Sequence, residues 1–183
     1  KAARQCRRQF IIDMYTAEIL RSTGNSKLPQ ADWDGISVFL PEFQKKRIVR
    51  MGTASVANKY RPYRIFPEDL AAASKNSVML FRPSIQVDVE RAGCLDGACL
   101  VYSMWDGYLA DEKTKLFLRW LKERGIPMYK CHTSGHASVR GLQRLRTAFA
   151  GAVVCPVHTI DPMVFPQLFE NVRVLTDGEH FDI

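Results

Sequence analysis

The sequence predicts an α/β protein built on a mostly parallel β-sheet with helices on both faces. Short apolar, strand-like segments alternate with helix-like segments along nearly the whole chain. Strands that are separated by helices are joined by crossovers, which makes neighbouring strands parallel. Hydrophobic residues make up 46% of the 183 residues and charged residues 25%, a balance that excludes an intrinsically disordered chain.

Apolar runs bounded by turn residues predict the strands. The predicted strands cover residues 9–12, 36–40, 78–81, 98–103, 127–131, 152–157 and 172–175. The run at 98–103 is continuously apolar, which is typical of a strand buried on both faces of a sheet. After the last strand, Asp177 and Gly178 predict a hairpin turn into residues 181–183.

Capping residues and apolar periodicity predict the helices. Gly24 is expected just past the first helix, Pro41 at the first position of the second, and Ser138 as the N-cap of a later one. The predicted helices cover residues 16–22, 41–51, 66 onwards, 111–124, 138–150 and 162–169. The helix at 111–124 has an apolar face of Leu116, Phe117, Trp120 and Leu121, and that at 138–150 one of Val139, Leu142, Leu145 and Phe149.

The charge balance favours anionic partners. The 26 Lys and Arg residues exceed the 19 Asp and Glu residues, which gives a formal net charge of +7. A basic surface attracts phosphates and nucleic acid, although solvated helix faces explain such charges equally well. The basic clusters are Arg4, Arg7 and Arg8; Lys45, Lys46, Arg47 and Arg50; and Arg140, Arg144 and Arg146.

The remaining composition indicates a cytoplasmic protein. Five cysteines without a CxxC pair argue against a disulfide framework and against a four-thiolate zinc site. No apolar run approaches the roughly 20 residues of a membrane span. The basic N-terminus lacks the apolar core of a signal peptide.

Chemically active side chains follow the predicted strands. Ligands of parallel sheets gather at the carboxyl ends of strands, so these positions are the candidates for a site. They are Arg82; Ser103, Trp105 and Tyr108; His132, Ser134, Gly135 and His136; and His158.

For each candidate residue, the sequence supports a functional role and, as the alternative, a purely structural one. Histidine serves as a zinc ligand or general acid, but also as a hydrogen-bonded loop residue. The spacing of His132 and His136 is that of a helical zinc pair, yet Gly135 between them favours a loop whose amide groups bind an anion. Arg82 can bind a phosphate or form a structural salt bridge.

The residues after the strand at 98–103 suit nucleic acid. The hydroxyl of Ser103 can contact a phosphate. The rings of Trp105 and Tyr108 can stack on bases, or they can pack in the core.

Two histidine motifs identify a resemblance. HTSGHAS at 132–138, followed by a helix and CPVHT at 155–159, resembles the end of the metallo-β-lactamase fold in its β-CASP branch, which includes ribonuclease J and the cleavage-and-polyadenylation endonuclease. RQFIIDMYTAEIL, ISVFLP, LFRPS and LVYSMWDGY resemble the β-CASP lobe. The resemblance covers nearly the whole chain and implies a zinc-dependent hydrolase of RNA phosphodiesters.

The resemblance implies a division of the chain and a role for each site residue. Residues 1–125 would form most of a β-CASP-like lobe, and residues 126–183 the C-terminal segment of the metallo-β-lactamase αββα fold. His158 would ligate one of two zinc ions, and His136, 22 residues earlier, would act in catalysis. The implied phosphate contacts are Ser134, Gly135, Ser103, Arg82 and His132.

One departure limits the resemblance. The HxHxDH motif that supplies most metal ligands in this family is absent, and all four histidines follow residue 131. The first residue is Lys1 rather than Met, so we expect a piece of a larger enzyme that is inactive alone and pairs with its lactamase half or with a second copy. Two alternatives stay open: a non-catalytic nucleic-acid-binding module, and a lactamase-fold hydrolase of another small phosphoester or ester.

Overall fold

The computed structural model describes residues 1–132, 135 and 137–180. The chain has an α/β fold, as predicted, and it divides into two compact units, Lys1–Cys131 and His132–Ile183. Within the described residues, no helix combines the length and the apolar composition needed to cross a bilayer.

The first unit contains two parallel sheets and the helices that pack on them. Its strands are β1 (Gln9–Asp13), β2 (Ile36–Phe39), β3 (Arg64–Ile65), β4 (Ser77–Met79), β5 (Leu100–Tyr102) and β6 (Met128–Lys130). Its helices are α1 (Ala2–Gln5), α2 (Met14–Ser22), α3 (Glu42–Met51), α4 (Ala54–Lys59), α5 (Pro67–Ser74), α6 (Gln86–Arg91) and α7 (Glu112–Glu123). Short 3-10 turns cover Arg61–Tyr63, Pro83–Ile85 and Asp106–Ala110.

The larger sheet has the strand order β3-β2-β1-β4, and all of its pairs are parallel. The chain adds β2 and then β3 on one side of β1, and returns to add β4 on the other side. The order therefore reverses between β1 and β4. In open parallel sheets, the carboxyl ends of the strands at such a reversal form the crevice in which ligands bind.

Helices cover both faces of this sheet, as predicted. Ile11 and Phe39 point to one face, where they pack with Leu70 of α5 and Val89 of α6. The neighbouring residues Ile12 and Val38 point to the other face, against α2 and α4. Because side chains alternate along a strand, the continuous apolar runs of β1 and β2 supply both cores.

The smaller sheet is covered on only one side within the first unit. Leu100 and Met128 pack on α7, whose Phe117 and Leu121 are buried. On the opposite side, Val101 is 58% exposed, so the expectation of a strand buried on both faces is wrong. Leu116 is also exposed and does not belong to the apolar face of α7. An apolar run shows that a strand can be buried, but not which of its faces a helix covers.

The capping predictions are largely confirmed. Gly24 has a φ of +63° and follows the C-cap of α2, and the hydroxyl of Ser138 accepts a hydrogen bond from the Gly141 amide at 3.1 Å. Pro41 is the N-cap of α3 rather than its first residue, because its ψ of 151° is extended.

The second unit has little regular structure. It contains α8 (Val139–Ala148), a 3-10 turn at Pro162–Val164 and α9 (Phe165–Leu168). The strands predicted at 152–157 and 172–175 are reduced to one parallel bridge between Val154 and Val172. The predicted apolar face of α8 is solvent-facing, since Leu145 and Phe149 are exposed. The predicted strand at 181–183 lies outside the described residues.

Candidate functional site

A buried carboxylate lies where β1 ends. Asp13 is the last residue of β1 and the N-cap of α2, and its side chain is fully buried. The carboxylate accepts hydrogen bonds from the Thr16 amide at 3.0 Å and from the Thr16 hydroxyl at 2.9 Å. The positive end of the α2 dipole therefore faces a carboxylate of the protein itself.

Gln44 of α3 joins this carboxylate to the start of α2. Its side-chain amide donates to Asp13 Oδ1 at 2.8 Å, and its carbonyl oxygen accepts from the Tyr15 amide at 3.2 Å. Gln44 is 6% exposed, so both hydrogen bonds are shielded from water. The start of α3 is held in turn by the Asp88 carboxylate, which accepts from the Glu42 amide at 3.0 Å.

Arg82 completes the cluster from the segment that follows β4. Its Nη1 forms an ion pair with Asp13 Oδ2, and its Nη2 donates to the Thr16 hydroxyl at 3.0 Å. The structural salt bridge considered for Arg82 is therefore present. The Arg82 side chain is 40% exposed, and its phosphate contact stays a prediction.

The cluster of Asp13, Thr16, Gln44 and Arg82 lies at the carboxyl ends of β1 and β4, beside the strand-order reversal. An isolated buried carboxylate is costly, and the guanidinium and the amide donors offset that cost. The ion pair has no net charge. It can orient a ligand by hydrogen bonds from the exposed side of Arg82, rather than attract one over a distance.

The aromatic residues after β5 are exposed and do not pack in the core. Trp105 is 61% exposed and Tyr108 is 52% exposed. Their ring centroids are 5.5 Å apart with an interplanar angle of 86°, an edge-to-face arrangement. Ser103, between β5 and Trp105, is exposed. The structure thus brings Trp105 and Tyr108 together at the surface, and their stacking on bases stays a prediction.

His158 of the second unit has an unusual backbone. Its φ is +55°, in the left-handed region that few residues other than glycine adopt. It follows Pro156 and Val157, and its side chain is exposed. Arg7 and Asn171 have the same left-handed backbone, so this conformation does not by itself distinguish His158, and its role as a zinc ligand stays a prediction.

The structure describes only some of the other site residues predicted in the second unit. His132 and Gly135 are exposed. Ser134 and His136 lie outside the described residues. Arg140 and Arg144 of α8 are exposed and form no ion pair with the described residues, whereas Arg146 donates to the Phe149 carbonyl at 3.1 Å. The basic character of α8 is therefore solvent-accessible.

Among the described residues, no group of three or more His, Cys, Asp or Glu side chains is arranged to hold a metal ion. The five cysteines are all free thiols. Burial raises the pKa of the Cys94 thiol, which keeps it protonated and unreactive at neutral pH.

Three members of the cluster around Arg82, namely Asp13, Thr16 and Gln44, were not predicted as site residues. The helix predicted from residue 16 begins at Met14 as α2, which makes Asp13 its N-cap. The sequence holds the missing signal: an aspartate that ends an apolar strand, with a threonine three residues later, has the spacing of an N-cap.

Comparisons with known proteins return no relative. The chain matches no protein-family model, no curated protein and no solved structure.

Proposed function

We propose that this chain is the β-CASP lobe and closing segment of a metallo-β-lactamase-fold hydrolase that acts on RNA phosphodiesters. The observation that carries the proposal is the pair of histidine motifs at 132–138 and 155–159. The spacing of 22 residues between His136 and His158 matches the resemblance.

The fold of the first unit supports this proposal. A parallel sheet with helices on both faces and a strand-order reversal offers a ligand crevice at its carboxyl edge. Arg82 lies at that edge, and its side chain is 40% exposed. In this reading Arg82 and Ser103 contact the RNA backbone.

The described residues do not fit a dinuclear zinc site. A catalytic zinc ion needs about three protein ligands, and the resemblance offers His158 alone from this chain. We therefore assign no zinc-dependent step to these residues. Within the proposal, His136 contacts the scissile phosphate or protonates the leaving group, and Ser134, Gly135 and His132 contact phosphate.

The second candidate function is RNA binding without catalysis. The exposed arginines of α8 and the basic residues of α3 favour it, since Arg47, Arg50, Arg140 and Arg144 form no ion pair among the described residues. Free cationic side chains supply sequence-independent affinity for phosphates.

Both candidate functions require the chain to bind RNA, and this can be measured on the purified chain. Fluorescence anisotropy of a labelled single-stranded RNA, measured across salt concentrations, should show affinity that falls as salt rises. Replacing Arg140 and Arg144 by Gln should reduce the slope of log K against log salt by about 0.7 for each charge that contacts phosphate. Absence of binding at low salt would contradict both candidates.

Metal analysis and the gene sequence separate the two candidates. We expect the purified chain to hold fewer than two zinc ions; two tightly bound zinc ions per chain would contradict the assignment of most ligands to another segment. An HxHxDH motif encoded upstream of Lys1 supports the hydrolase. A gene without that motif, combined with salt-dependent RNA binding, supports the binding module.

A further inference from the structure

The loop after β5 presents two aromatic rings to solvent in a fixed arrangement. Trp105 and Tyr108 are 61% and 52% exposed, and they meet edge to face at 5.5 Å. Large aromatic residues usually contribute buried area, and these two add little to the core of the first unit. Such a pair suits a ligand that offers a flat ring.

Gly107 makes room for the indole. A Cβ atom at this position would lie 2.2 Å from Cη2 and Cζ3 of Trp105, closer than nonbonded carbon atoms approach. The indole therefore lies against the backbone of Gly107. A side chain at position 107 would therefore displace the indole, which can move because Trp105 is 61% exposed.

Two contacts from the strands restrain this loop. The hydroxyl of Tyr102, a residue of β5 that is 9% exposed, donates to the Trp105 carbonyl at 3.2 Å. Lys130 of β6 forms an ion pair with Asp106 at 2.9 Å. These contacts restrain the backbone at Trp105 and the side chain of Asp106, so less conformational entropy of the loop is lost when a ligand binds.

We propose that Trp105, Gly107 and Tyr108 form a subsite for one unpaired base of single-stranded RNA, with the base stacked on the indole and the Tyr108 ring beside it. The proposal rests on the proposed function for its choice of ligand, and the formal charge of +7 favours a polyanion. Stacking on an aromatic ring accepts any base, so the subsite would distinguish unpaired from paired strands rather than sequences.

Binding of a short single-stranded RNA to three variants tests the subsite. Alanine replacement of a stacking residue costs roughly 1–3 kcal/mol per base, so Trp105→Ala should raise the Kd by about 5-fold to 150-fold. Gly107→Ala keeps both rings but displaces the indole, and should weaken binding in the same direction. Trp105→Phe should retain part of the affinity. Circular dichroism checks that each variant is folded.

Trp33 provides the matched control. It is 39% exposed and precedes β2, away from the carboxyl ends of the strands, so Trp33→Ala should leave the Kd within about 2-fold. RNA should also quench the tryptophan fluorescence of the wild-type chain and of Trp33→Phe, but not that of Trp105→Phe. A duplex of the same sequence should bind with no dependence on Trp105.

The outcomes separate this subsite from the proposed function. Salt-dependent binding of single-stranded RNA that is unchanged in folded Trp105→Ala and Gly107→Ala overturns the subsite and leaves the proposed function standing. Equal losses for duplex and single strand also overturn the subsite. Quenching of Trp105 by a proline-rich peptide, with no RNA binding at any salt concentration, overturns both.

Discussion

At the scale of single residues, the ion pair between Asp13 and Arg82 is the most consequential contact. The carboxylate is fully buried, so only its ion pair and hydrogen bonds offset the cost of removing it from water. Thr16 and Gln44 supply the other hydrogen bonds, so Arg82 is one of several partners. The contact joins the segment after β4 to the start of α2, across the strand-order reversal.

Arg82→Gln should therefore destabilise the fold. It removes the opposite charge but leaves the amide and hydroxyl donors to Asp13, and Arg82 itself is 40% exposed. We expect the free energy of unfolding to fall by about 1–3 kcal/mol, measured by urea denaturation at neutral pH. Lys115→Gln, which breaks the exposed pair with Glu112, is the control and should change it by less than about 0.5 kcal/mol. Equal effects of the two substitutions would show that burial of Asp13 contributes nothing.

At the scale of elements, Glu18 connects α2 to the end of α4. Its carboxylate accepts hydrogen bonds from Arg21 at 2.6 Å and from the Tyr60 hydroxyl at 2.5 Å. The hydrogen bond from Arg21 is the largest cause that lowers the pKa of Glu18 to about 2. Burial first, and then the bond to Glu18, raises the pKa of Tyr60 to about 12.

Glu18→Gln should make stability less dependent on acid pH. Because the pKa of Glu18 is lowered in the folded state, its contribution is fully present above about pH 4.5 and is lost as pH falls toward 2. At neutral pH we expect a loss of roughly 1 kcal/mol, since Arg21 is half exposed and water screens the pair. Urea denaturation of both proteins at pH 7, 4 and 2.5 should show the difference shrinking as pH falls. A constant difference would contradict this linkage.

Helix α7 offers a matched pair of leucines. Leu121 is 4% exposed and packs with Phe117 and Trp120, whereas Leu116 is 62% exposed. Leu121→Ala should lower the free energy of unfolding by roughly 2–5 kcal/mol through lost burial and the cavity it leaves. Leu116→Ala should change it by less than about 0.5 kcal/mol. The urea concentrations at which the two variants are half unfolded measure these losses. A larger loss for Leu116→Ala than for Leu121→Ala would contradict the burial described for the two leucines.

The same leucines show where the sequence reaches its limit. Apolar periodicity predicts α7 itself, and the apolar runs predict β1 and β2, because those patterns follow from local geometry. The sequence predicts one apolar face for Leu116 and Leu121, although they are about 140° apart around the helix, so Leu116 lies at the edge of that face. Tertiary packing covers Leu121 and leaves that edge exposed. In the candidate site, Arg82 was predicted from its place after a strand. Gln44 was not, because its role depends on α3 meeting Asp13 across 31 positions of sequence.

At the scale of the whole molecule, the open face of the β5–β6 sheet is the feature that bears on self-association. Val101 and Tyr129 are paired neighbours in the parallel register, and they are 58% and 59% exposed. Parallel sheets are normally covered on both faces, and an open apolar face promotes association. We therefore expect the purified chain to self-associate as its concentration rises.

Val101→Lys tests that expectation, because a lysine amid this apolar face would have to lose its hydration when two copies meet. Sedimentation velocity should show a weight-average mass that rises with concentration for the wild type and rises less for the variant, with a dissociation constant at least about 10-fold higher. Val49→Lys, at a residue of α3 that is 75% exposed, is the matched control and should behave like the wild type. A wild-type chain that stays monomeric over the whole concentration range would show that the open face of β5 and β6 does not drive association. An equal effect of both lysines would assign the change to net charge, since each adds one positive charge to a chain that already carries +7.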